Sequence, residues 1–170
     1  MCHVPTLIRC GSRLRERESY AVPLRRYDGE GLDGAVTDST IRLLVVDDDP
    51  QITRTYEEIL RGAHYDVVLA SSCATAKAEM QRVHGDVQVM LIDFGLPDCD
   101  GGELVGDLIT QYGPRPVLYV SGWTDEFWQL PELGARWLMM RKPVPIRHLL
   151  AAVRWLAHGG DKPPELDQPG

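Results

Sequence analysis

The chain has 170 residues, of which 44% are hydrophobic, and a formal net charge of −7. That length suits one ordinary domain with extra residues at its ends. No segment approaches the ~20 consecutive apolar residues that span a bilayer, so we expect no membrane segment. The first 40 residues contain six Arg and six acidic residues, and the net negative charge therefore lies in the rest. Because such a surface repels nucleic acid, we predict a protein that does not bind nucleic acid. We predict no membrane partner either, since no segment is apolar over the length that spans a bilayer.

The N-terminus has no apolar core of the signal-peptide kind, and we predict a cytoplasmic protein. The cysteines have no CxxC spacing and no disulfide-rich context, which predicts free thiols. They are Cys2, Cys10, Cys73 and Cys99.

Short apolar runs alternate with helix-like segments between residues 41 and 157. We predict strands at about 41–47 and 65–70, followed by strands that end at Asp93, at Ser121 and near Lys142. Helices are expected over about 50–62, 73–84, 104–112, 124–131 (short and weak) and 145–157. Five strands alternating with five helices predict an α/β domain, a doubly wound five-stranded parallel sheet with helices on both faces. Residues 1–40 are expected to be a disordered extension and 158–170 a flexible tail.

Polar side chains follow four of the apolar runs. Asp47, Asp48 and Asp49 follow the first, Asp93 and Ser121 end two others, and Lys142 follows the last. In an open parallel sheet, ligands bind beyond the carboxyl ends of the strands. We therefore expect an acid, a second acid, a hydroxyl and an amine to meet there.

Crowded carboxylates repel one another, and a divalent cation relieves that repulsion. Mg²⁺ prefers oxygen ligands and usually takes one or two protein carboxylates. Asp48 and Asp93, with a backbone carbonyl from the loop after Asp93, would provide them. Asp47 or Asp49 would then hold a metal-bound water.

A carboxylate can also attack phosphorus and form an aspartyl-phosphate. Phosphoryl transfer depends mainly on positioning and on neutralising oxygen charge. Lys142 can neutralise one phosphoryl oxygen and the Ser121 hydroxyl can donate to another. Each residue alone is more often a turn, a cap or a solvated side chain, but the joint order favours phosphate and metal chemistry.

Four motifs resemble the receiver domain of two-component response regulators, of the chemotaxis-regulator type. They are LLVVDDDP at 43–50, MLIDFGLPDCDG at 90–101, VLYVSG at 117–122 and RKP at 141–143, within a match over about 41–157. The resemblance implies a flavodoxin-like fold and phosphorylation of Asp93 by a sensor histidine kinase or a histidine phosphotransfer protein.

The resemblance also assigns individual roles. Asp47 and Asp48 would form the acidic Mg²⁺ pocket with Asp93, and Gly95 would supply a backbone carbonyl ligand. Ser121 would be the switch hydroxyl and Lys142 the phosphate ion pair, followed by Pro143, often joined through a cis bond. Met139 occupies the position of the family's usual aromatic switch residue, and the nearest aromatic is Trp137. The bulky Trp123 also lies beside the expected site, and Val144 replaces the usual aromatic after Lys-Pro.

Three functions compete. The first is a single-domain phosphoacceptor that catalyses its own phosphorylation and dephosphorylation but is not otherwise an enzyme. It would dock to a partner, form a homodimer through the last strand and helix, or relay the phosphate. The second is a phosphohydrolase resembling the haloacid dehalogenase superfamily, which would use Asp47 and Asp49 but leaves Asp93 unexplained. The third is a pseudo-receiver that docks without phosphorylation.

Overall fold

The computed structural model describes residues 40–122 and 134–166. Its strands are β1 (Arg42–Val46), β2 (Asp66–Ala70), β3 (Val89–Asp93), β4 (Val117–Ser121) and β5 (Trp137–Arg141). Its helices are α1 (Pro50–Gly62), α2 (Cys73–Arg82), α3 (Gly101–Tyr112) and α4 (Ile146–His158), followed by a 3₁₀ turn, Pro164–Leu166. The weak helix predicted over 124–131 lies outside the described residues.

The five strands form one parallel sheet in the order β2-β1-β3-β4-β5. This is the flavodoxin-like order, in which the chain changes direction across the sheet between β1 and β3. The predicted doubly wound α/β fold is thereby confirmed. The order matters for function because it places the ends of β1 and β3 side by side.

Alternate strand residues pack on opposite faces of the sheet. Leu44, Met90 and Tyr119 belong to the cluster covered by α2 and α3. Leu43, Leu91 and Leu118 belong to the cluster covered by α1 and α4. Burial on both faces explains why the strands are continuous apolar runs and not alternating ones.

Side-chain caps start three of the helices. Asp49 accepts a hydrogen bond from the Gln51 amide at the start of α1, and Asp100 accepts one from the Gly102 amide at the start of α3. Ser72 and Thr75 form a reciprocal capping box on α2. Asp49 therefore satisfies a helix terminus, which is a different role from the metal-water contact offered as an alternative for it.

Two of the four predicted free thiols are instead paired. Cys73 and Cys99 form a disulfide across a sequence separation of 26 residues, with their Cα atoms 6.1 Å apart. The prediction was wrong for these two because spacing along the chain does not show which residues the fold brings together. Cys73 begins α2, and Cys99 lies in the loop between β3 and α3.

Part of the segment predicted as a tail has defined contacts. The indole of Trp155 donates a hydrogen bond to the Gly160 carbonyl, and Leu166 packs against the cluster beneath α4. Flexibility of residues 158–170 stays a prediction. Of the helices within 40–122 and 134–166, none is long and apolar enough to cross a membrane.

Candidate phosphoacceptor and metal site

The carboxyl edge of the sheet brings together the residues expected there. Asp47 directly follows β1, Asp93 and Ser121 are the last residues of β3 and β4, and Lys142 directly follows β5. Asp47, Asp93 and Ser121 are all buried, with at most 8% of their surface exposed. Since polar groups are rarely buried without partners, their contacts describe the site.

Three carboxylates converge at this edge. One oxygen from each of Asp47, Asp48 and Asp93 lies within 4.8 Å of the other two. Asp48 is exposed, whereas the other two are buried. The cluster thus has an open side toward solvent and a closed side toward the core.

Lys142 bridges the two buried acids. Its Nζ lies 2.7 Å from Oδ2 of Asp47 and 2.7 Å from Oδ2 of Asp93. Burial by itself would lower the pKa of Lys142, but hydrogen bonds to both carboxylates outweigh it, and the pKa is raised. The amine is therefore a fixed positive charge at neutral pH.

Asp47 uses both carboxylate oxygens. Its Oδ1 accepts a hydrogen bond of 3.0 Å from the Asp49 amide, and its Oδ2 pairs with Lys142. Burial nevertheless raises the pKa of Asp47 above its ordinary value, against the effect of these partners. Burial therefore makes the ionised form of Asp47 costly here.

The loop after Asp93 closes back over it. The Gly95 amide donates to Oδ1 of Asp93 at 3.3 Å, and Gly95 forms a β-bridge with Asp100. The Gly101 amide donates to the Phe94 carbonyl at 2.9 Å. The Gly95 backbone thus lies beside the Asp93 carboxylate, and its role as a carbonyl ligand stays a prediction.

Gly101 allows this close approach. A Cβ at that position would collide with the Asp93 carbonyl oxygen and would lie 2.9 Å from the Phe94 Cα. Both contacts are with backbone, which cannot move aside as a flexible side chain can. The glycine in the second motif therefore has a packing reason.

Ser121 lies on the strand next to Asp93, in the register in which Asp93 faces Val120. Its carbonyl accepts a hydrogen bond of 2.9 Å from the Lys142 amide. The Lys142–Pro143 peptide bond is cis, as the resemblance implied. Trp123 lies outside the described residues.

The donor set suits Mg²⁺. All of its side-chain donors are carboxylate oxygens, with one cluster member open to solvent, and Mg²⁺ favours oxygen ligands and retained waters. Asp47, Asp48 and Asp93 can therefore hold such an ion. The phosphohydrolase alternative fits less well, since the Asp49 carboxylate caps α1.

Tyr56 was not singled out from the sequence. It lies on α1 and is 8% exposed. Burial, assisted by the charge of Asp47, raises its pKa to about 12. Its apolar helical spacing signalled only a core residue, and its proximity to the acid follows from the way α1 packs on the sheet.

The fold and this edge define a class of protein, in which a doubly wound parallel sheet carries an acidic pocket and a lysine at its carboxyl edge. The family model of the response regulator receiver domain matches residues 43–154. The chain belongs to this family.

Individual relatives agree with this assignment. The chain is 32% identical over 128 residues to the transcriptional regulatory protein KdpE of Mycobacterium tuberculosis (strain CDC 1551 / Oshkosh), covering 75% of this chain and 55% of that protein. It is 31% identical over 115 residues to KdpE of Staphylococcus aureus (strain NCTC 8325 / PS 47), covering 66% and 48%. The matched region thus spans about half the length of these relatives.

Solved structures give the same answer. A CheY-like receiver domain protein from Methanospirillum hungatei JF-1 matches with a TM-score of 0.60 and 28% identity, covering 68% of this chain and 92% of that one. The chemotaxis protein CheY4 of Vibrio cholerae matches with a TM-score of 0.63 and 25% identity, covering 69% and 99%.

Proposed function

We propose that this chain accepts a phosphoryl group on Asp93 from a phosphohistidine of a sensor histidine kinase or a histidine phosphotransfer protein. One observation carries the proposal. The buried carboxylate of Asp93 ends β3 beside two other acids, and its Oδ2 lies 2.7 Å from the Lys142 amine. A buried nucleophile held among charge-balancing groups is what phosphoryl transfer requires.

The residues divide the work by position. A carboxylate oxygen of Asp93 attacks the phosphorus as the bond to the donor histidine nitrogen breaks. Lys142 balances negative charge on the transferred group, and the Ser121 hydroxyl donates to one of its oxygens. Asp47, Asp48, Asp93 and the Gly95 carbonyl would hold Mg²⁺, which when bound would neutralise phosphoryl oxygen charge. The protein would thereby be a phosphoacceptor that catalyses its own modification and its reversal.

The proposed output runs from Ser121 toward β5 and α4. A phosphoryl oxygen gives Ser121 a partner that exists only in the modified state, which biases a two-state loop. Met139 is half-buried in place of an aromatic, whereas Trp137 is 47% exposed on the same strand. Trp137 or Trp123 would then report the change to a docked partner or to a second copy.

Protein partners fit the charge of the chain better than nucleic acid does. The net charge is −7, so direct binding to nucleic acid by this domain is disfavoured. The relatives named as transcriptional regulators are about twice as long as the matched region. We propose that this receiver acts in the cytoplasm and docks to a protein or relays its phosphate.

The proposal is tested by incubating the protein with acetyl phosphate and Mg²⁺, followed by intact mass spectrometry. The wild type should gain one phosphoryl group and Asp93→Asn none. Asp107→Asn, which removes an exposed carboxylate on α3, is the matched control and should label normally. Equal labelling of Asp93→Asn would sink the assignment, and no labelling of any variant would favour a pseudo-receiver.

The route of signalling has its own measurement. Amide exchange with and without beryllofluoride, a mimic of the aspartyl-phosphate, should change in the Asp93 loop and also within 121–157. Changes restricted to the Asp93 loop would refute the proposed route from Ser121 to β5 and α4. They would not contradict phosphorylation of Asp93.

A further inference from the structure

The disulfide involves the loop that follows the proposed phosphoacceptor. Cys99 belongs to the loop that joins Asp93 to α3, and Cys73 is the first residue of α2. The Cα atoms are 6.1 Å apart, which is within the range that a disulfide spans without backbone distortion. The bond therefore connects the site loop to a neighbouring helix.

That loop is largely open to solvent. Gly95, Pro97, Asp98 and Asp100 are exposed, whereas Phe94, Leu96 and Cys99 pack against the core. Loops with little burial open easily. The covalent bond thus adds a restraint to a loop in which four of the seven residues are exposed.

One polar contact acts at the same place. The Asp98 carboxylate accepts hydrogen bonds from the Cys73 amide at 2.8 Å and the Ala74 amide at 2.9 Å. The cysteine that follows Asp98 therefore meets Cys73 whether or not the sulfurs are bonded. This docking prepares the two thiols to pair and keeps them close after reduction.

The consequence reaches Asp93 through Gly95. The Gly95 amide donates to the Asp93 carboxylate, and Gly95 is four residues from the disulfide in a loop of seven. A loop fixed at both ends pre-organises the groups that it carries. Without the disulfide, the loop keeps the Asp98 hydrogen bonds but has more conformational freedom, and ordering it when a ligand binds costs entropy.

We infer that Cys73 and Cys99 form a reversible redox site. Its oxidised form holds the loop after Asp93 in the conformation that binds Mg²⁺ and accepts phosphate. Its reduced form binds Mg²⁺ more weakly and is phosphorylated more slowly. This inference rests on the proposed function. A cytoplasmic location strengthens it, because disulfides there are usually redox-sensing or catalytic.

The chemistry balances with a low-molecular-weight disulfide such as glutathione disulfide as oxidant. Cys99 is half-buried and Cys73 is 3% exposed, so the Cys99 thiolate is the one that attacks. It forms a mixed disulfide and releases one glutathione thiolate. The Cys73 thiolate then attacks the Cys99 sulfur and releases the second. The two protein thiols lose two protons and two electrons, and the oxidant's S–S bond takes up the electrons.

The test compares the full chain after oxidation by glutathione disulfide and after reduction. Mass spectrometry of peptides shows whether Cys73 and Cys99 pair, calorimetry measures Mg²⁺ affinity, and acetyl phosphate gives the rate of phosphorylation. We expect reduction to weaken Mg²⁺ binding about fivefold, at the lower end of usual coupling between sites. Amide exchange over residues 94–101 should accelerate on reduction.

Two variants make the comparison specific. Cys73→Ala/Cys99→Ala should match the reduced protein and lose its response to oxidant, whereas Cys2→Ser/Cys10→Ser should respond like the wild type. Reduced wild type is the second measurement if the Ala pair folds poorly, since it requires no substitution.

Each outcome decides between the two claims. Absence of the Cys73–Cys99 disulfide after oxidation, or equal Mg²⁺ affinity and exchange in both redox states, would overturn the redox site. A redox response that persists in Cys73→Ala/Cys99→Ala would also overturn it. Failure of Asp93 to label in either state would overturn the proposed function alone, because affinity and exchange still test the disulfide.

Discussion

Lys142 and Asp93 form an ion pair of 2.7 Å in which the amine is also bonded to a second buried acid. One cation therefore offsets two carboxylates in the absence of phosphate. If Asp93 were phosphorylated, the same amine would be close enough to pair with an oxygen of the phosphoryl group. The pair thus serves both the stability of the unmodified protein and the proposed chemistry.

Replacing Lys142 should destabilise the protein, because Asp47 and Asp93 would lose their shared cation. Lys142→Met is expected to lower the free energy of unfolding by about 2 kcal/mol at pH 7, because it leaves buried charge unpaired. Urea unfolding followed by Trp fluorescence measures this. Lys77→Met removes a lysine paired on the surface with Asp107 and should change stability by less than about 1 kcal/mol.

The loss in Lys142→Met should depend on pH in a defined direction. The pKa of Asp47 is already raised by burial, and the hydrogen bond from Lys142 lowers it. Removing the amine raises that pKa further, so acidification neutralises the carboxylate in the variant first. The stability difference between wild type and Lys142→Met should therefore shrink as the pH falls toward 4. A difference that widens on acidification would contradict this account.

Magnesium should stabilise the protein through Asp48. At a Mg²⁺ concentration ten times Kd, wild type should gain about 1.4 kcal/mol, since the ion binds only the folded state. Thermal unfolding should show this as a rise in Tm, and Asp48→Ala should show much less. Asp107→Asn should respond like the wild type.

Without metal, Asp48→Ala should melt at a higher temperature than wild type. Removing one of three crowded charges relieves repulsion, worth at most about 1 kcal/mol for this exposed acid. A clear loss of stability in the metal-free variant would show that the Asp48 carboxylate is structural.

Gly101→Ala should damage both the fold and the site. Its Cβ would press on the Asp93 carbonyl oxygen, and overpacking of this kind costs about 2 kcal/mol. Gly106→Ala is the matched control in the same helix, because nothing lies within 4 Å of its Cβ position. That control should gain about 0.5–1 kcal/mol. Equal effects of the two substitutions, in urea unfolding, would refute the packing argument.

Tyr56→Phe should change the alkaline limit of stability. Burial raises the pKa of Tyr56 from 10.0 to about 12, so between these values the unfolded chain releases its proton first. Wild-type stability therefore falls as the pH rises from 10 to 12, by roughly 2 kcal/mol from this group. Tyr56→Phe lacks that loss. The free energy of unfolding of the variant should therefore rise relative to that of the wild type as the pH increases over this range. Urea unfolding at pH 8, 10 and 11.5 measures it, and a constant difference would contradict the prediction.

The N-terminal extension should be dispensable. Residues 1–40 lack the apolar periodicity that would dock them on the core, so a shortened chain beginning at Ser39 should fold and accept phosphate. Its Tm and labelling by acetyl phosphate are compared with those of the full chain. Lost solubility or labelling would show that the extension covers part of the domain.

Local sequence patterns predicted the class of fold, which the structure confirms, and the candidate residues of the site. Strand runs and helical stripes are local patterns, and a parallel sheet of known polarity brings its strand ends to one edge. Asp47, Asp48, Asp93, Ser121 and Lys142 could therefore be predicted as candidates from their positions at the ends of apolar runs.

Which contact each of those side chains makes depends on the packing of the fold. Asp49 looks like its two neighbours in the sequence, yet its carboxylate caps α1 while Asp47 pairs with Lys142. Cys73 and Cys99 carry no pairing signal, since their contact depends on the packing of α2 beside the β3–α3 loop. Residues far apart in the chain meet only through the path of the backbone between them, and periodicity does not encode that path.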